Sequence, residues 1–276
     1  MLESSVAGRV VSAVRLSGLA LREPVSRALP RRLAGRRIER VRRHGKYLLA
    51  DLDAGLTLLS HLGMSGRWSF HATVPEQIPA HVHARLAFED GAALWFEDPR
   101  RFGLLRLART AGLARDRALR ELGPDPIATP PDPGALHALA HGARVSVKNF
   151  LLDQRRIAGI GNIYASEILH RAGVDPRRRA GRLTAAEWRS VAPQIGLVLR
   201  ESIERMGTTF SMYRTPSGES GAFADQLRVY DRAGKPCRAC GTPIRRIVQG
   251  QRSTFFCPRC QSRDTARGFA RIAKLD

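Results

Sequence analysis

Four cysteines near the end of the chain restrict its fold more than any other feature. They form two Cys-x-x-Cys pairs separated by sixteen residues, and the 276-residue sequence contains no other cysteine. Their positions are Cys237, Cys240, Cys257 and Cys260. This spacing is typical of a Zn²⁺ site made of four thiolates. Because four protein ligands leave no open coordination position, the pattern predicts one structural, non-catalytic Zn²⁺.

The residues between the two cysteine pairs predict the local structure of this site. The segments IRRIV and STFF indicate two strands, and QGQR indicates the turn between them. We therefore predict a zinc ribbon over residues 232–262, followed by a basic tail at 263–276. Two disulfides are the alternative interpretation of the four cysteines, but a cytosolic setting disfavours them.

The charge of the chain indicates a polyanionic partner. Lysine and arginine number 46 and acidic residues 25, which gives a net charge of +21. Such an excess favours nucleic acid, with ribosomes or an anionic membrane surface as alternatives. Only four of the basic residues are lysines, at positions 46, 148, 235 and 274. A lysine can exchange its proton where an arginine cannot, so each is a candidate for a specific role.

Hydropathy predicts where the protein works and how its first part folds. No apolar run is long enough to cross a membrane, and the chain does not open with a signal-peptide pattern, so a cytoplasmic location without a membrane partner is expected. Residues 1–108 contain short alternating or apolar segments separated by turn signals, which favours a β-sandwich or barrel. These segments are Arg9–Leu16, Gly45–Leu52, Leu56–His61 and Arg85–Phe88. The RRIERVRR segment fits an exposed strand or a solvated basic face.

The middle of the chain, residues 109–210, has helical periodicity. Apolar residues recur every three or four positions in RDRALREL, GALHALAH, SVKNFLLDQ, NIYASEILHRAG and TAAEWRSVAPQIGLVLRESIERM. Thr184 and Glu187 fit a capping box that opens the last of these helices. Residues 211–231 include a Ser/Gly/Pro-rich stretch typical of a loop and linker. The predicted fold class is therefore α+β.

A glycine-rich turn separates two of the predicted helices. Gly159-Ile160-Gly161-Asn162 permits tight turning, and the amides that open the next helix can hold a phosphate. An ordinary corner between helices is the alternative interpretation of this motif.

Six stretches together resemble the formamidopyrimidine-DNA glycosylase and endonuclease VIII family. They are GKYLLADL, HLGMSGRW, EDPRRFG, RIAGIGNIYASEIL, LRVYDRAGKPCRACG and QRSTFFCPRC, in the family's order across residues 42–261. The resemblance implies a β-sandwich, a helix–two-turn–helix domain and a zinc ribbon, with DNA crossing the cleft between the lobes. It also implies a monomeric, nucleoid-associated base excision repair enzyme, a glycosylase and abasic-site lyase. The VYDRAGKPC run resembles the branch that removes oxidised purines (8-oxoguanine, formamidopyrimidines), although a preference for pyrimidine lesions stays open.

The resemblance implies catalytic roles for two residues. Lys46 matches the lysine that assists base excision and the first strand-cleaving elimination, and Arg252 matches the arginine that supports the second elimination. From the residues alone, Lys46 also fits a strand lysine paired with a carboxylate, and Arg252 also fits a simple phosphate contact.

The resemblance further implies a set of contacts with double-stranded DNA that contains oxidised bases or abasic sites. The residues that match DNA contacts are His81, Arg100, Arg144, Lys148 and Asn162. The residues that match the trio inserted into the duplex when the lesion flips out are Met64, Arg100 and Phe102. Core packing is the alternative for Met64 and Phe102. The loop around Tyr213–Phe223 matches the segment that closes over the oxidised purine.

The first residues depart from the family's pattern. The family begins with a proline, whose freed amine attacks the sugar, followed by a glutamate, whereas this sequence begins MLESSVAGRV. Glu3 does not correspond to that glutamate, and the first proline is Pro24. Two expectations follow: the true start lies upstream of Met1, or the chain is a non-catalytic damaged-DNA-binding protein. A zinc-ribbon factor of ribosomes or transcription is a third hypothesis, but it leaves HLGMSG and EDPRRFG unexplained.

Overall fold

A computed structural model describes residues 2–207 and 223–262, which form two compact units. The first unit extends to Arg120, and the second comprises Glu121–Gly207 together with the described residues from Phe223 onward. Most of the predicted purine loop (its residues up to 222) and the basic tail at 263–276 lie outside the described residues. Within the described ranges, no helix has the length and apolar character needed to cross a membrane.

The first unit is built from two four-stranded antiparallel sheets. Its strands are β1 (Val11–Leu16), β2 (Ile38–His44), β3 (Tyr47–Leu52), β4 (Leu56–His61), β5 (Arg67–His71), β6 (Val82–Phe88), β7 (Ala93–Glu97) and β8 (Leu104–Arg109). One sheet has the order β1-β6-β7-β5 and the other β2-β3-β4-β8. Two short helices, α1 (Leu2–Val6) and α2 (Leu29–Leu33), complete the unit.

The two sheets share one apolar core, which confirms the predicted sandwich. Val14 and Leu86 from one sheet belong to the same buried cluster as Leu52 and Leu58 from the other. Leu59, next along β4, lies in a separate small cluster on the opposite side of its sheet. This follows from the two-residue period of a strand, which sends neighbouring side chains to opposite faces.

The predicted helix over RDRALREL, residues 115–122, is wrong. A 3₁₀ helix at Thr110–Arg115 ends at this point, and turns follow it. The Asp116 carboxylate accepts a hydrogen bond from the backbone N–H of Ala118 at 2.9 Å and pairs with Arg106. A short polar side chain that bonds its neighbouring backbone in this way competes with helix formation.

The other predicted helices form the core of the second unit. They are α3 (Pro133–Ala140), α4 (Val147–Leu152), α5 (Asn162–Arg171) and α6 (Ala185–Glu204). The capping box at the start of α6 is confirmed: Thr184 Oγ1 accepts the Glu187 N–H at 3.2 Å, and Glu187 Oε2 accepts the Thr184 N–H at 2.8 Å. Trp188 and Phe150 anchor the buried cluster between these helices.

The predicted ribbon is confirmed as an antiparallel hairpin that belongs to the helical unit. Its strands are β9 (Arg245–Gln249) and β10 (Arg252–Phe256). The turn residues Gly250 and Gln251 both have positive φ, 53° and 61°, as a tight two-residue hairpin turn requires. Arg252 therefore lies at the tip of the hairpin, where β10 begins.

Candidate nucleic-acid interface and metal centre

The four cysteines converge on one point. All four Sγ atoms lie within 4.8 Å of one another, with Cys240 and Cys257 at 3.4 Å and Cys237 and Cys260 at 3.9 Å. Tetrahedral Zn²⁺ with Zn–S bonds of about 2.3 Å separates its sulfurs by about 3.8 Å. A disulfide would need about 2.05 Å, so the disulfide alternative is wrong. The donor set fits one structural Zn²⁺.

Two loops of the sandwich unit bring the predicted duplex-filling residues together. Met64 follows β4, and Arg100 and Phe102 lie between β7 and β8. Gly63 has φ of 64°, and a Cβ there would lie 2.5 Å from the carbonyl carbon of Phe102, so the loops touch backbone to backbone. The Arg100 guanidinium lies 4.9 Å from the centre of the Phe102 ring, at cation–π distance.

The apolar members of this trio face solvent. Met64 is 71% exposed and Phe102 44% exposed. Core packing, the alternative considered for both residues, is therefore wrong. Large apolar side chains held in water on adjacent loops are available to a partner surface.

A buried carboxylate holds the two loops in place. Asp98 is completely buried, and its carboxylate accepts the Ser65 hydroxyl at 2.5 Å and the Gly103 N–H at 2.6 Å. Ser65 Oγ in turn accepts the Arg100 N–H at 3.2 Å. Asp98 and Ser65 were not predicted from the sequence. The available signal was an aspartate directly before Pro99 in an otherwise exposed basic loop.

Lys46 lies on a hairpin tip of the same unit. It shares the two-residue turn between β2 and β3 with Gly45, whose φ is 57°, and its side chain is exposed. The end of β4 nearby carries His61, whose Nδ1 accepts hydrogen bonds from Arg22 at 3.1 Å and from the Gly63 N–H at 2.9 Å. Burial, together with the charges of Arg22 and Lys46, lowers the pKa of His61 to about 4. This imidazole is therefore neutral near pH 7 and acts as an acceptor.

His81 and Arg144 are both exposed, each on its own unit. His81 precedes β6 with φ of 69°, and its carbonyl accepts the Asp98 N–H at 3.0 Å. Arg144 lies between α3 and α4 at an open cavity of about 490 Å³, which Arg179 and Arg182 also line. In the described part of the chain, no hydrogen bond joins Arg144 to the other predicted DNA contacts of its unit.

Lys148, a predicted phosphate contact, is instead directed into the protein. Its side chain is 0% exposed, and Nζ donates to the Ser253 carbonyl at 2.9 Å and to Thr254 Oγ1 at 2.7 Å. Burial, reinforced by the charge of Arg252, lowers the pKa of Lys148 to about 8. The ammonium therefore joins α4 to the strand that begins at Arg252, and its phosphate contact stays a prediction.

Asn162 binds the same carbonyl from a second helix. As the first residue of α5, it donates from Nδ2 to the Ser253 carbonyl at 3.0 Å and to the Tyr230 hydroxyl at 3.4 Å. Its Oδ1 is buried without a hydrogen-bond partner among the described residues. The glycine turn before it allows the predicted tight turn between α4 and α5, with Gly159 at φ of 94°. The prediction that the first amides of α5 also hold a phosphate is not tested by these contacts.

A buried glutamate on α5 fixes the chain that precedes the ribbon. Glu167 is fully buried and accepts three consecutive backbone N–H groups, those of Arg228, Val229 and Tyr230, at 2.9–3.0 Å. Burial raises the pKa of this carboxyl. Glu167 was not predicted from the sequence, because its partners lie more than sixty residues away.

Three parts of the chain match families of known domains. Residues 1–105 match the formamidopyrimidine-DNA glycosylase N-terminal domain. Residues 122–214 match the formamidopyrimidine-DNA glycosylase H2TH domain. Residues 234–263 match the zinc finger found in FPG and IleRS.

Similar proteins cover nearly the whole chain. Formamidopyrimidine-DNA glycosylase of Methylococcus capsulatus is 48% identical over 257 residues, 93% of each chain. The MutM (Fpg) crystal structure from Thermus thermophilus is 38% identical with a TM-score of 0.82, covering 93% of this chain and 92% of that one. Lactococcus lactis Fpg bound to DNA with an abasic site is 27% identical with a TM-score of 0.88, covering 95% and 96%. The chain belongs to the formamidopyrimidine-DNA glycosylase family.

Proposed function

We propose that the protein is a bifunctional DNA glycosylase and abasic-site lyase that excises oxidised purines from duplex DNA. Its relatives are named formamidopyrimidine-DNA glycosylases, and one similar structure is a Lactococcus lactis Fpg variant with DNA containing Fapy-dG. The observation that carries the proposal is the solvent-exposed trio of Met64, Arg100 and Phe102 on two loops fixed by one buried carboxylate.

The trio suits a protein that takes a base out of the duplex. A flipped nucleotide leaves a gap in the base stack, and apolar or planar side chains refill it. Met64 and Phe102 supply apolar volume, and the Arg100 guanidinium supplies a planar group with donors for the unpaired base opposite. Because Asp98 holds both loops, the three groups are organised before DNA arrives, which reduces the ordering cost of binding.

The remaining residues divide between chemistry and binding. We assign Lys46, an exposed amine on a tight turn, to proton transfer during base excision and the first elimination, and Arg252 at the ribbon tip to the second elimination. His81 and Arg144 are exposed and suited to contacts with DNA. The phosphate contacts of Lys148 and Asn162 remain part of the proposal, alongside the internal hydrogen bonds that both make. The Zn²⁺ has a structural role only.

The setting proposed for this activity is base excision repair, with the protein working as a monomer on the nucleoid in the cytoplasm. Its proposed partner is double-stranded DNA with oxidised bases or abasic sites. The net charge of +21 favours such a partner through counterion release.

The proposal is tested on a duplex with one 8-oxoguanine opposite cytosine. Mass spectrometry measures the released base, and a denaturing gel measures strand cleavage. We expect both products from the damaged duplex and neither from the matched undamaged one when the assayed protein carries the family's proline–glutamate start, because that proline amine is the nucleophile that attacks the sugar. Lys46→Ala should lower the rate of base release by about 100-fold, as expected for loss of a proton-transferring group. Lys235→Ala, an exposed lysine of the ribbon, is the matched control and should leave the rate within twofold.

Two outcomes would contradict this function. Tight binding to the damaged duplex without base release would favour the damaged-DNA-binding alternative. Equal binding to damaged and undamaged duplex, without cleavage, would contradict any role in lesion recognition.

A further inference from the structure

We propose that His170 is a hydrogen-bond partner of the zinc site, donating its Nε2–H to the thiolate of Cys237 and so joining helix α5 to the metal. The inference rests on the zinc site and is independent of the glycosylase activity proposed above. No role assigned to the DNA-binding residues uses His170.

The surroundings of the ring define this contact. His170 is in the last turn of α5, is 2% exposed, and has Nε2 3.6 Å from Cys237 Sγ, a normal N–H···S separation. Its other nitrogen, Nδ1, is buried without a partner among the described residues. A bare nitrogen lone pair facing a metal-bound thiolate would be repelled by its negative charge. The hydrogen must therefore be on Nε2, whatever the state of Nδ1.

His170 lies outside the ligand set itself. In the described part of the chain, the group of possible metal ligands within 4.8 Å of one another consists of the four cysteines and does not include this histidine. Four thiolates already complete the tetrahedron. The ring therefore contacts one ligand from outside, as an orienting partner.

Such a hydrogen bond has two physical consequences. Four thiolates place a net double negative charge around Zn²⁺, and a donor to one of them withdraws charge from that sulfur and makes it a poorer target for protons and competing metals. The bond also ties the first cysteine pair to α5. Gln261 ties the second pair to the same region, because it accepts the Cys257 N–H at 2.9 Å and donates to the Val174 carbonyl just beyond α5 at 2.9 Å.

Both cysteine pairs are thus attached to the end of the helix whose first residue is Asn162, the residue that binds the ribbon strand at Ser253. Under this proposal the zinc site positions α5 as well as the hairpin.

The first test measures the rate of zinc release from the full-length protein into excess chelator. His170→Phe keeps the ring volume but removes the donor, and we expect release to accelerate about tenfold, the lower end of the effect of an orienting partner on metal affinity. His170→Gln places an amide N–H near the position of Nε2 and should recover most of the wild-type rate. His137→Phe, an exposed histidine on α3, is the control and should remain within twofold. An unchanged rate in His170→Phe, or equally fast release from His170→Gln, would overturn the proposal.

The second test needs no variant that could misfold. In wild-type protein with ¹¹³Cd in place of zinc and ¹⁵N-labelled histidine, NMR reports which ring nitrogen of His170 carries the hydrogen. We expect a slowly exchanging Nε2–H with a resolved scalar coupling to ¹¹³Cd through the Cys237 sulfur. A ring hydrogen on Nδ1, with a bare Nε2, would contradict the proposed bond.

Discussion

The two units use the residues of the family motifs in opposite ways. In the sandwich unit, Met64 and Phe102 extend into solvent from loops that a buried aspartate, Asp98, fixes from below. In the helical unit, Lys148 and Asn162 extend inward and hold the carbonyl of Ser253 on the ribbon. Both pairs of residues lie in sequence stretches that match the family, so the motifs alone did not distinguish them.

This difference separates residues that contact a partner from residues that shape the surface around it. An exposed side chain on a fixed loop acts directly on DNA, so its loss should change recognition more than stability. A buried, hydrogen-bonded side chain acts through the strand that it holds, so its loss should change stability and pH dependence first.

The largest effect should follow loss of the metal ligands. Cys257→Ser removes one thiolate from the zinc site, and a structural site of this kind contributes on the order of 10 kcal/mol to its local fold. We expect the ribbon to unfold and Arg252 to lose its position, while the sandwich unit keeps its own melting transition. Elemental analysis and thermal unfolding measure this. One equivalent of zinc together with unchanged melting would contradict the assignment.

Next in size is the buried carboxylate of the sandwich unit. Asp98→Asn keeps the shape but weakens the acceptor for Ser65 and Gly103, and we expect a loss of about 2–4 kcal/mol in the free energy of unfolding. The preference for damaged over intact DNA should also fall, because the loops that carry the trio lose their fixed geometry. Asp90→Asn is the control, because Asp90 is half exposed in its pair with Arg9 and should cost under about 1 kcal/mol. Urea unfolding of both variants decides the point, and equal small losses would contradict the role of Asp98.

The burial of Lys148 should make the free energy of unfolding depend on pH. Its folded-state pKa of about 8 lies below the ordinary value of 10.5, so between these values the unfolded chain holds a proton that the folded chain lacks. The free energy of unfolding should therefore rise with pH over this window, by up to about 3 kcal/mol, and the Lys148→Met variant should lack that rise. Unfolding of both proteins at pH 7.5 and pH 10 measures the difference. The same slope in both would contradict the burial of this amine.

The salt dependence of DNA binding separates the two roles considered for Lys148. If the bonds to Ser253 and Thr254 are the only role of the amine, Lys148→Met should leave the salt slope unchanged. A slope lower by about one unit would instead support the phosphate contact that the family resemblance implies.

Local patterns predicted much of the architecture. The cysteine spacing predicted the ribbon and its metal, and Thr184 with Glu187 predicted the start of α6, because these signals involve neighbouring residues. The helix over residues 115–122 was wrong because its periodicity gave no sign that the Asp116 side chain would bond the backbone.

Sequence patterns did not predict whether a side chain points into the protein or into solvent. Lys148 is buried by a strand 105 residues away, and Asp98 joins two loops that each connect one sheet of the sandwich to the other. The sequence allowed Met64 and Phe102 to be core residues, and the structure shows that both are exposed on loops. The residues missed from the sequence are therefore those whose partners are distant, namely Asp98, Ser65, Glu167, His170 and Gln261.

The role proposed for the exposed trio is tested most directly by the affinity for an abasic-site duplex and for the matched intact duplex, each at several salt concentrations. Phe102→Ala should lower the preference for the abasic duplex by about tenfold, in line with about 1–3 kcal/mol for aromatic stacking, with the salt slope unchanged. Arg252→Ala should weaken binding to both duplexes alike and lower the salt slope by about one unit. Leu19→Ala, which alters another exposed apolar residue of the sandwich unit, should change neither quantity. If Phe102→Ala weakened binding to both duplexes equally, the exposed trio would not be filling the gap left by a flipped nucleotide.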